Sequence, residues 1–244
     1  MSSINKKFRF NFKIDLSKKD KIKGLKLPNY PSPKLAYIVG VLAGDGNIFV
    51  RKEKNDYRVK CVGDPKHEKL FYDKVLKKLI HQLFNIIIDN KMQDSSKTYG
   101  FYIYSKALVT YLNQIGGLPI GKKYSKLRIP KWVVKSGLIS QFIRGLADTD
   151  FCLTYKKGNY PCIVGSSKSK EFFQEVSVEL KKLGFTFYEV YDSKQYDSRF
   201  KKGYSIISRI EINGRKNYSL WMEKVGFSNP RILKKINAVA RNYD

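Results

Sequence analysis

Two short stretches decide the fold of this chain: IVGVLAGDG at residues 38–46 and IRGLADTDF at residues 143–151. In each stretch a glycine precedes an aspartate by five residues, as Gly40 precedes Asp45 and Gly145 precedes Asp150. The two aspartates are 105 residues apart in a chain of 244, so each stretch opens one of two segments of similar length. We therefore expect a tandem duplication.

The segments that follow the two stretches repeat one order of elements. Ser32 can cap a first helix that runs to Gly44, with Pro33 in its first turn, and a second helix is predicted from Ser140 to about Asp150. Polar–apolar alternation follows each helix, then an amphipathic helical pattern. Further predicted elements are a helix at 66–84, a strand at 99–105, a helix at 106–117, a strand at 152–157, a helix at 168–183, a strand at 205–213 and a helix at 217–227.

This order predicts an α+β fold of two pseudo-symmetric halves, each with the order αββαββα. Their antiparallel sheets are expected to form a concave saddle, with the duplicated helices at its centre. The predicted organisation is a basic, irregular N-terminal arm (1–32), a first repeat (33–133) and a second repeat (134–244). A concave surface of this kind suits the groove of a DNA duplex.

The charge of the chain points to a polyanionic partner. It contains 48 Lys and Arg against 21 Asp and Glu, which leaves a formal net charge of +27. Such an excess makes the compact state repel itself unless a polyanion compensates. The chain also carries 17 Tyr and 15 Phe, which favours a folded nucleic-acid-binding protein over a disordered basic tail.

Several other classes of site are excluded by what the chain lacks. Its cysteines, Cys61, Cys152 and Cys162, form no CxxC pair, and it has only two histidines. Neither a disulfide framework, a zinc ribbon nor a histidine-dependent nuclease is expected, and the cysteines are predicted to be reduced core residues. No apolar run approaches the roughly 20 residues of a membrane span. We expect an intracellular monomer, cytoplasmic and nucleoid-associated or organellar, with no membrane partner.

The duplicated stretches resemble the LAGLIDADG signature of homing endonucleases, in the type that carries two motifs in one chain. The resemblance covers about residues 33–236. It implies binding to double-stranded DNA at a long site and a metal-dependent double-strand break with short 3′ overhangs. It further implies that Asp45 and Asp150 bind the catalytic metal, assisted by the backbone carbonyls of Gly44 and Thr149. Such oxygen ligands suit Mg²⁺, in two or three ions, with Mn²⁺ as a substitute.

The family also places a lysine near each site. The segment GKKYSKLRIP at 121–130 matches the family pattern, with Lys123 as our first candidate and Lys122 and Lys126 as alternatives. The second half has GFSNPRILKK at 226–235, where no lysine aligns and Arg231 or Lys234 are the substitutes. Phe151 stands where the first half has Gly46, so the second metal site is expected to differ from the first. The two strands are therefore expected to be cut unequally.

Contacts to DNA are expected from basic side chains on the exposed faces of the sheets. The candidates are Arg51, Lys52, Arg58, Lys60, Lys156, Lys157, Arg199 and Arg209. Most are expected to touch phosphates. Arginine can also contact guanine with two hydrogen bonds, but the register that decides which arginines do so is not given by sequence.

Two other functions fit the same scaffold. An RNA-binding intron maturase would use the basic surface and its tyrosines to hold intron RNA by shape and stacking. A non-cleaving DNA-binding regulator would have no need for carboxylates that face phosphate, so the two aspartates argue against it. We expect a free-standing or intron-encoded protein rather than a protein-splicing element.

Overall fold

The computed structural model describes residues 8–156, 159–198 and 201–240. It contains two four-stranded antiparallel sheets, each accompanied by helices, and two long helices that cross between them. Both halves have the order αββαββα, so the predicted fold class is confirmed. Among the described residues, every helix is too short or too polar to cross a bilayer.

The elements follow in chain order, first those of the first half and then those of the second. The first are α1 (Lys18–Ile22), α2 (Pro33–Gly44), β1 (Gly46–Arg51), β2 (Asp56–Gly63), a π-helical segment (Phe71–Leu76) that continues into α3 (Lys77–Phe84), β3 (Lys91–Gln93), β4 (Thr98–Tyr104) and α4 (Lys106–Gln114). After them come α5 (Lys131–Lys135), α6 (Ile139–Asp150), β5 (Phe151–Lys156), β6 (Tyr160–Ser167), α7 (Lys170–Lys182), β7 (Tyr188–Tyr196), β8 (Tyr204–Asn213), α8 (Arg215–Lys224) and α9 (Pro230–Ala240). The strand orders are β1-β2-β4-β3 and β5-β6-β8-β7.

Helix α2 starts and ends where its sequence predicts. The Ser32 hydroxyl accepts a hydrogen bond from the Leu35 N–H at 3.1 Å, Pro33 occupies the first turn, and Asp45 caps the last turn. Residues 35–43 are all buried, because α2 packs against α6 of the second half and against α3 and β1 of its own half. The helix therefore behaves as a core element of both halves.

The crossing of α2 and α6 depends on Gly40 and Gly145. A Cβ atom at Gly40 would lie 2.1 Å from the Phe142 carbonyl oxygen, and one at Gly145 would lie 2.0 Å from the Tyr37 carbonyl oxygen. Both contacts are with backbone, which cannot move aside as a side chain can. Only glycine at these two positions lets the helix backbones touch, and this contact brings the helix ends together.

We expect Gly145→Ala to destabilise the protein by about 2 kcal/mol, because overpacking of a close contact costs about 1–3 kcal/mol. In an unconstrained helix the same change would stabilise by about 1 kcal/mol, so the sign itself is informative. Chemical denaturation measures the difference. Lys34→Ala, at an exposed position in the first turn of α2, is the control and should change little. A stabilised Gly145→Ala protein would contradict the close crossing.

The two faces of each sheet differ in the way the alternation predicts. In β2, Val59 and Cys61 are buried against the helices, while Arg58 and Lys60 lie on the opposite, exposed face. In β8, Ile210 and Ile212 are buried and Arg209 is exposed. We call the exposed side of the two sheets the front face; it carries Asn47, Phe49, Arg51, Arg58, Lys60, Tyr102, Tyr104, Lys156, Arg209 and Glu211.

The N-terminal segment departs from the irregular arm that we expected. Ser17 and Asp20 form a reciprocal capping box at the start of α1, and Phe10 is buried edge-to-face on Trp132, with ring centroids 5.3 Å apart. The segment contributes to the core because its apolar residues from Phe8 to Leu16 alternate with polar ones. The prediction for the cysteines was also wrong in one case: Cys61 and Cys162 are buried, but Cys152 is exposed.

Candidate active site

The two predicted catalytic aspartates meet where α2 and α6 end. Asp45 caps α2 and donates its N–H to the Val41 carbonyl at 3.0 Å, and Asp150 is the last residue of α6. A Cβ atom on Gly44 would lie 3.2 Å from the Asp150 carboxyl carbon and 2.1 Å from the Thr149 hydroxyl. The helix ends are therefore in contact, and the two partly buried carboxylates face one another across them.

Their environment disfavours two negative charges. Burial raises the pKa of Asp45 well above its usual range, and the charges of Asp150 and Glu68 raise it further. Burial likewise raises the pKa of Asp150 to about 6. Because the two carboxylates lie close together, the second one to ionise is repelled by the charge of the first. The pair is therefore suited to hold a cation, which would relieve this repulsion.

Lys123 supplies positive charge at this place. Its ammonium group donates to the backbone carbonyls of Leu42 at 3.4 Å, Ala43 at 2.8 Å and Gly44, the last carbonyls of α2. These carbonyls carry the negative end of the helix dipole, which favours a cation. Burial lowers the pKa of Lys123, while the charges of both aspartates act to raise it.

The loop before Lys123 is held by the first strand. Gly121 donates its N–H to the Ile48 carbonyl at 2.7 Å, and the Asn47 side chain donates to the Gly121 carbonyl at 3.2 Å. Of the three candidate lysines, the structure brings Lys123 to the aspartates, while Lys122 and Lys126 are exposed.

Sequence reasoning missed two residues beside Asp45. The Tyr72 hydroxyl donates to Asp45 Oδ2 at 3.3 Å, and Glu68, one helical turn earlier, is buried nearby. Arg231, from α9 in the second half, pairs with Glu68 at 3.3 Å. The i, i+4 spacing of Glu68 and Tyr72 is visible in the sequence, but the long-range contacts that direct them to the site are not.

The second half has an amide where the first half has an ammonium. Asp148 aligns with Ala43, and its carbonyl accepts a hydrogen bond from the Asn229 side-chain amide at 2.8 Å, the length of the Lys123 bond to Ala43. Asn229 is fully buried and neutral. Neither proposed substitute takes this place, since Arg231 pairs with Glu68 and Lys234 is exposed.

Asp148, near the end of α6, binds groups from other elements of the fold. Its buried carboxylate accepts hydrogen bonds from the Tyr37 hydroxyl at 2.6 Å and from the backbone N–H groups of Ser228 and Asn229, both at 2.9 Å. Burial raises the pKa of Asp148 to about 6. The group links α2, α6 and the segment before α9, so its partners are distant in sequence.

The large side chain at Phe151 is accommodated in the core of the second half. Its ring stacks on Trp221 with centroids 5.8 Å apart and covers Gly165, where a Cβ would lie 2.3 Å from the ring. In the first half the corresponding residue is Cys61, which pairs with Gly46, and the Tyr72 hydroxyl lies 3.8 Å from its thiol. The space behind the helix end is thus filled by an aromatic cluster in the second half and includes the polar Tyr72 hydroxyl in the first.

The residues present fit a hard divalent cation. The described residues contain no cluster of three or more His, Cys, Asp or Glu side chains, so a bound ion would need backbone carbonyls, water and a ligand to complete its shell. A cavity of about 250 Å³ lies beside Asp150, lined in part by Gly44, Lys123, Asp150, Ser166 and Lys168. Two carboxylates with few ligands of their own match the way Mg²⁺ is usually bound, with substrate oxygens and water.

Most of the predicted DNA-binding side chains lie on the front face, and most have acidic partners. Arg51 and Arg58 pair with Asp56, Lys60 pairs with Asp94, and Lys156 and Arg209 both pair with Glu211. Lys52 is exposed in the turn between β1 and β2. Lys157 and Arg199 lie outside the described residues.

Comparisons with known proteins agree with this architecture. A LAGLIDADG-like domain family model matches residues 138–226. Two curated relatives from Methanocaldococcus jannaschii are similar over most of this chain: a replication factor C small subunit, 27% identical over 86% of the chain, and a glutamine–fructose-6-phosphate aminotransferase, 23% identical over 88%. The chain spans only 10% and 18% of their lengths, so their named activities are not carried over.

Solved structures match over nearly the whole fold. I-DmoI in complex with DNA and calcium has a TM-score of 0.55 at 17% identity, covering 84% of this chain and 97% of that one. The homing endonuclease I-WcaI, bound to its DNA recognition sequence, has a TM-score of 0.55 at 14% identity, covering 90% and 92%. At these identities the likeness concerns the fold. Residues 138–226 thus match the LAGLIDADG-like domain model, and the chain has the two-half fold of I-DmoI and I-WcaI.

Proposed function

We propose that this protein is a site-specific DNA endonuclease that makes a double-strand break with short 3′ overhangs in a long duplex target. One observation carries the proposal: two helix-end carboxylates, Asp45 and Asp150, are brought together beside the ammonium group of Lys123. The net charge of +27 and the basic front face supply the attraction for duplex DNA.

Asp45 and Asp150, with the carbonyls of Gly44 and Thr149, would hold Mg²⁺ or Mn²⁺ between the helix ends and the DNA backbone. When bound, such ions neutralise charge on the phosphoryl oxygens and the leaving oxygen and make a water molecule more nucleophilic. The position of the two carboxylates is fixed because each lies at the end of a helix. The close contact of the two helices at Gly40 and Gly145 sets where these ends lie. Each aspartate then serves one strand of the duplex.

Lys123 acts as a catalytic residue at the first centre, the metal site of the first half. Its ammonium can turn from the Gly44 carbonyl toward a phosphate in the adjoining cavity, where it stabilises charge and exchanges a proton with water. The lowered pKa that burial gives Lys123 favours that exchange. Asn229, its counterpart in the second half, holds its helix end but has neither charge nor an exchangeable proton of this kind.

We therefore expect the two strands to be cut at different rates. Lys123→Met should slow the cut made at the first centre by about 100-fold or more, the range that a general acid or base contributes. Asn229→Gln, which keeps a neutral amide, is the matched variant and should affect rate less. Cleavage of a duplex with a different label on each strand measures both rates. Equal slowing of both strands by Lys123→Met would contradict a strand-specific role.

The activity itself can be tested with a library of randomised duplexes, incubated with the protein and Mg²⁺ and sequenced at every cut end. Paired, staggered cuts at one long sequence are expected, and none without divalent metal. Absence of cutting by the unaltered protein, together with tight, salt-sensitive binding to structured RNA, would reject the endonuclease in favour of the maturase. Sequence-specific binding to duplexes without cutting would favour the regulator.

A further inference from the structure

Two arginines on the front face repeat one arrangement. Arg58 Nε lies 3.0 Å from Asp56 Oδ1, and Arg209 Nε lies 3.2 Å from Glu211 Oε1. In both cases the carboxylate is two residues away on the same strand, and therefore on the same face. The Arg58 contact is a close ion pair rather than a hydrogen bond, since Arg58 Nε and Asp56 Oδ1 both lack hydrogen-bond geometry. Among the described residues, neither guanidinium has a second ion-pair partner, which leaves Nη1 and Nη2 of both for a ligand.

The Arg58 guanidinium is also held by aromatic rings. It lies 4.5 Å from the ring centroid of Phe49 and 6.0 Å from that of Tyr104. Both are its direct cross-strand neighbours in the sheet. Cation–π contacts of this kind fix the plane of the guanidinium. The side chain is 24% exposed, so it is confined yet reachable from the front face.

Arg51 offers a contrast on the same strand pair. It uses both Nε, at 3.3 Å, and Nη2, at 2.8 Å, to bind Asp56 Oδ2. One edge of its guanidinium is therefore taken up by protein. Of the three predicted DNA-binding arginines that the structure describes, Arg58 and Arg209 alone keep both terminal nitrogens unpaired.

We propose that Arg58 and Arg209 determine sequence specificity, each by contacting one guanine in the major groove, and that Asp56 and Glu211 are their positioning residues. The inference rests on the proposed function, which supplies duplex DNA as the ligand. A guanidinium with a free pair of N–H groups matches the O6 and N7 acceptors of guanine. A carboxylate held against Nε leaves this pair free and reduces the rotamer freedom that is lost on binding.

The two guanines lie in the inner part of the target. Arg58 is three residues along β2 from Cys61, which pairs with Gly46 beside Asp45. Three residues of strand span about 10 Å, or about three base pairs of duplex. Arg209 pairs with Ser166, the neighbour of Gly165, and Gly165 pairs with Phe151 beside Asp150. Because the two arginines belong to different halves, we expect them to read different positions of the target.

Binding-site selection tests this without relying on cleavage. The full-length protein is mixed with randomised duplexes in Ca²⁺, and the bound fraction is sequenced for the wild type and for four variants. Arg58→Lys and Arg209→Lys keep the charge but remove the two-pronged geometry. Glu211→Gln keeps Arg209 but removes its partner. Arg215→Lys, at an exposed position in α8 away from the front face, is the control, and unchanged circular dichroism shows that each variant is folded.

Arg58→Lys should lose the preference for guanine at one position, and Arg209→Lys at another, each by about 5- to 100-fold. Glu211→Gln should weaken the preference at the position that Arg209→Lys affects. Arg215→Lys should leave every preference unchanged. Selection of one sequence by all five proteins with identical preferences would overturn this inference while leaving the proposed function intact. Failure of the wild type to select any sequence would overturn both.

Discussion

Asp45→Asn and Asp150→Asn are each expected to reduce cleavage on the order of 10³-fold or more while leaving binding to the target almost unchanged. Asparagine preserves the shape of each side chain at the helix end but removes the charge that holds a divalent cation. The front face, which makes the proposed contacts with DNA, is not altered. Single-turnover cleavage and a binding titration in Ca²⁺, on the same labelled duplex, separate the two effects.

The same substitutions should stabilise the metal-free protein at neutral pH. The pKa of Asp150 is raised to about 6 by burial, and that of Asp45 is raised well above its usual range. For a carboxyl group whose pKa is higher in the folded state than in the unfolded state, stability falls as pH rises from the unfolded pKa through the folded one. That window opens near pH 4 and, for Asp150, closes above about pH 6.

The gain in melting temperature of either variant over the wild type should therefore be small near pH 4 and larger at pH 7. Thermal unfolding in the presence of a chelator measures it across this range. Asp89→Asn, at an exposed position, is the control and should give no such trend. A gain of equal size at every pH would mean that ionisation of these buried carboxyl groups is not the source.

Asp148→Ala is expected to destabilise the protein by about 3–5 kcal/mol, a loss comparable to that from breaking a buried charged network. The change leaves the Tyr37 hydroxyl and the N–H groups of Ser228 and Asn229 without their acceptor in the core. Each buried donor left unpaired costs about 1–3 kcal/mol. A cavity remains as well, because Asp148 is fully buried.

Urea denaturation of Asp148→Ala and of Tyr37→Phe compares the whole network with one of its bonds. Tyr37→Phe removes a single donor and should cost less than Asp148→Ala, about 1–2 kcal/mol. Asp89→Ala, at an exposed site, should cost about 0.5 kcal/mol or less. If Asp148→Ala were no worse than Asp89→Ala, the network would be without energetic consequence.

The sequence allowed the repeated fold to be predicted because the fold depends on local patterns. The cap at Ser32 and the alternation through Val59 and Cys61 are each visible within a few residues, and α2 and β2 formed where these patterns placed them. Because the order of elements is repeated, the elements predicted in one half could be compared with those predicted in the other. Successive side chains of a strand point to opposite faces of the sheet, and this alternation also predicted that Arg58 and Arg209 lie on the front face.

What the sequence did not reveal depends on contacts between distant residues. Tyr72 reaches Asp45 across 27 residues, and Asn229 reaches Asp148 across 81. The substitutes considered for the second lysine, Arg231 and Lys234, were chosen by charge, whereas the place is occupied by a neutral amide. The roles of Asp45, Asp150, Lys123, Gly44 and Thr149 in catalysis remain predictions for the experiments above to decide.

The bond between Tyr37 and Asp148 also determines which halves can assemble. The residue equivalent to Tyr37 in α6 is Phe142, which has no hydroxyl, and the residue equivalent to Asp148 in α2 is Ala43, which has no carboxylate. Two first halves would bury two hydroxyls without acceptors, and two second halves would bury two carboxylates that each lack the tyrosine donor. Cut into two polypeptides, this protein would thus assemble as a heterodimer, each half rejecting its own copies and selecting the other.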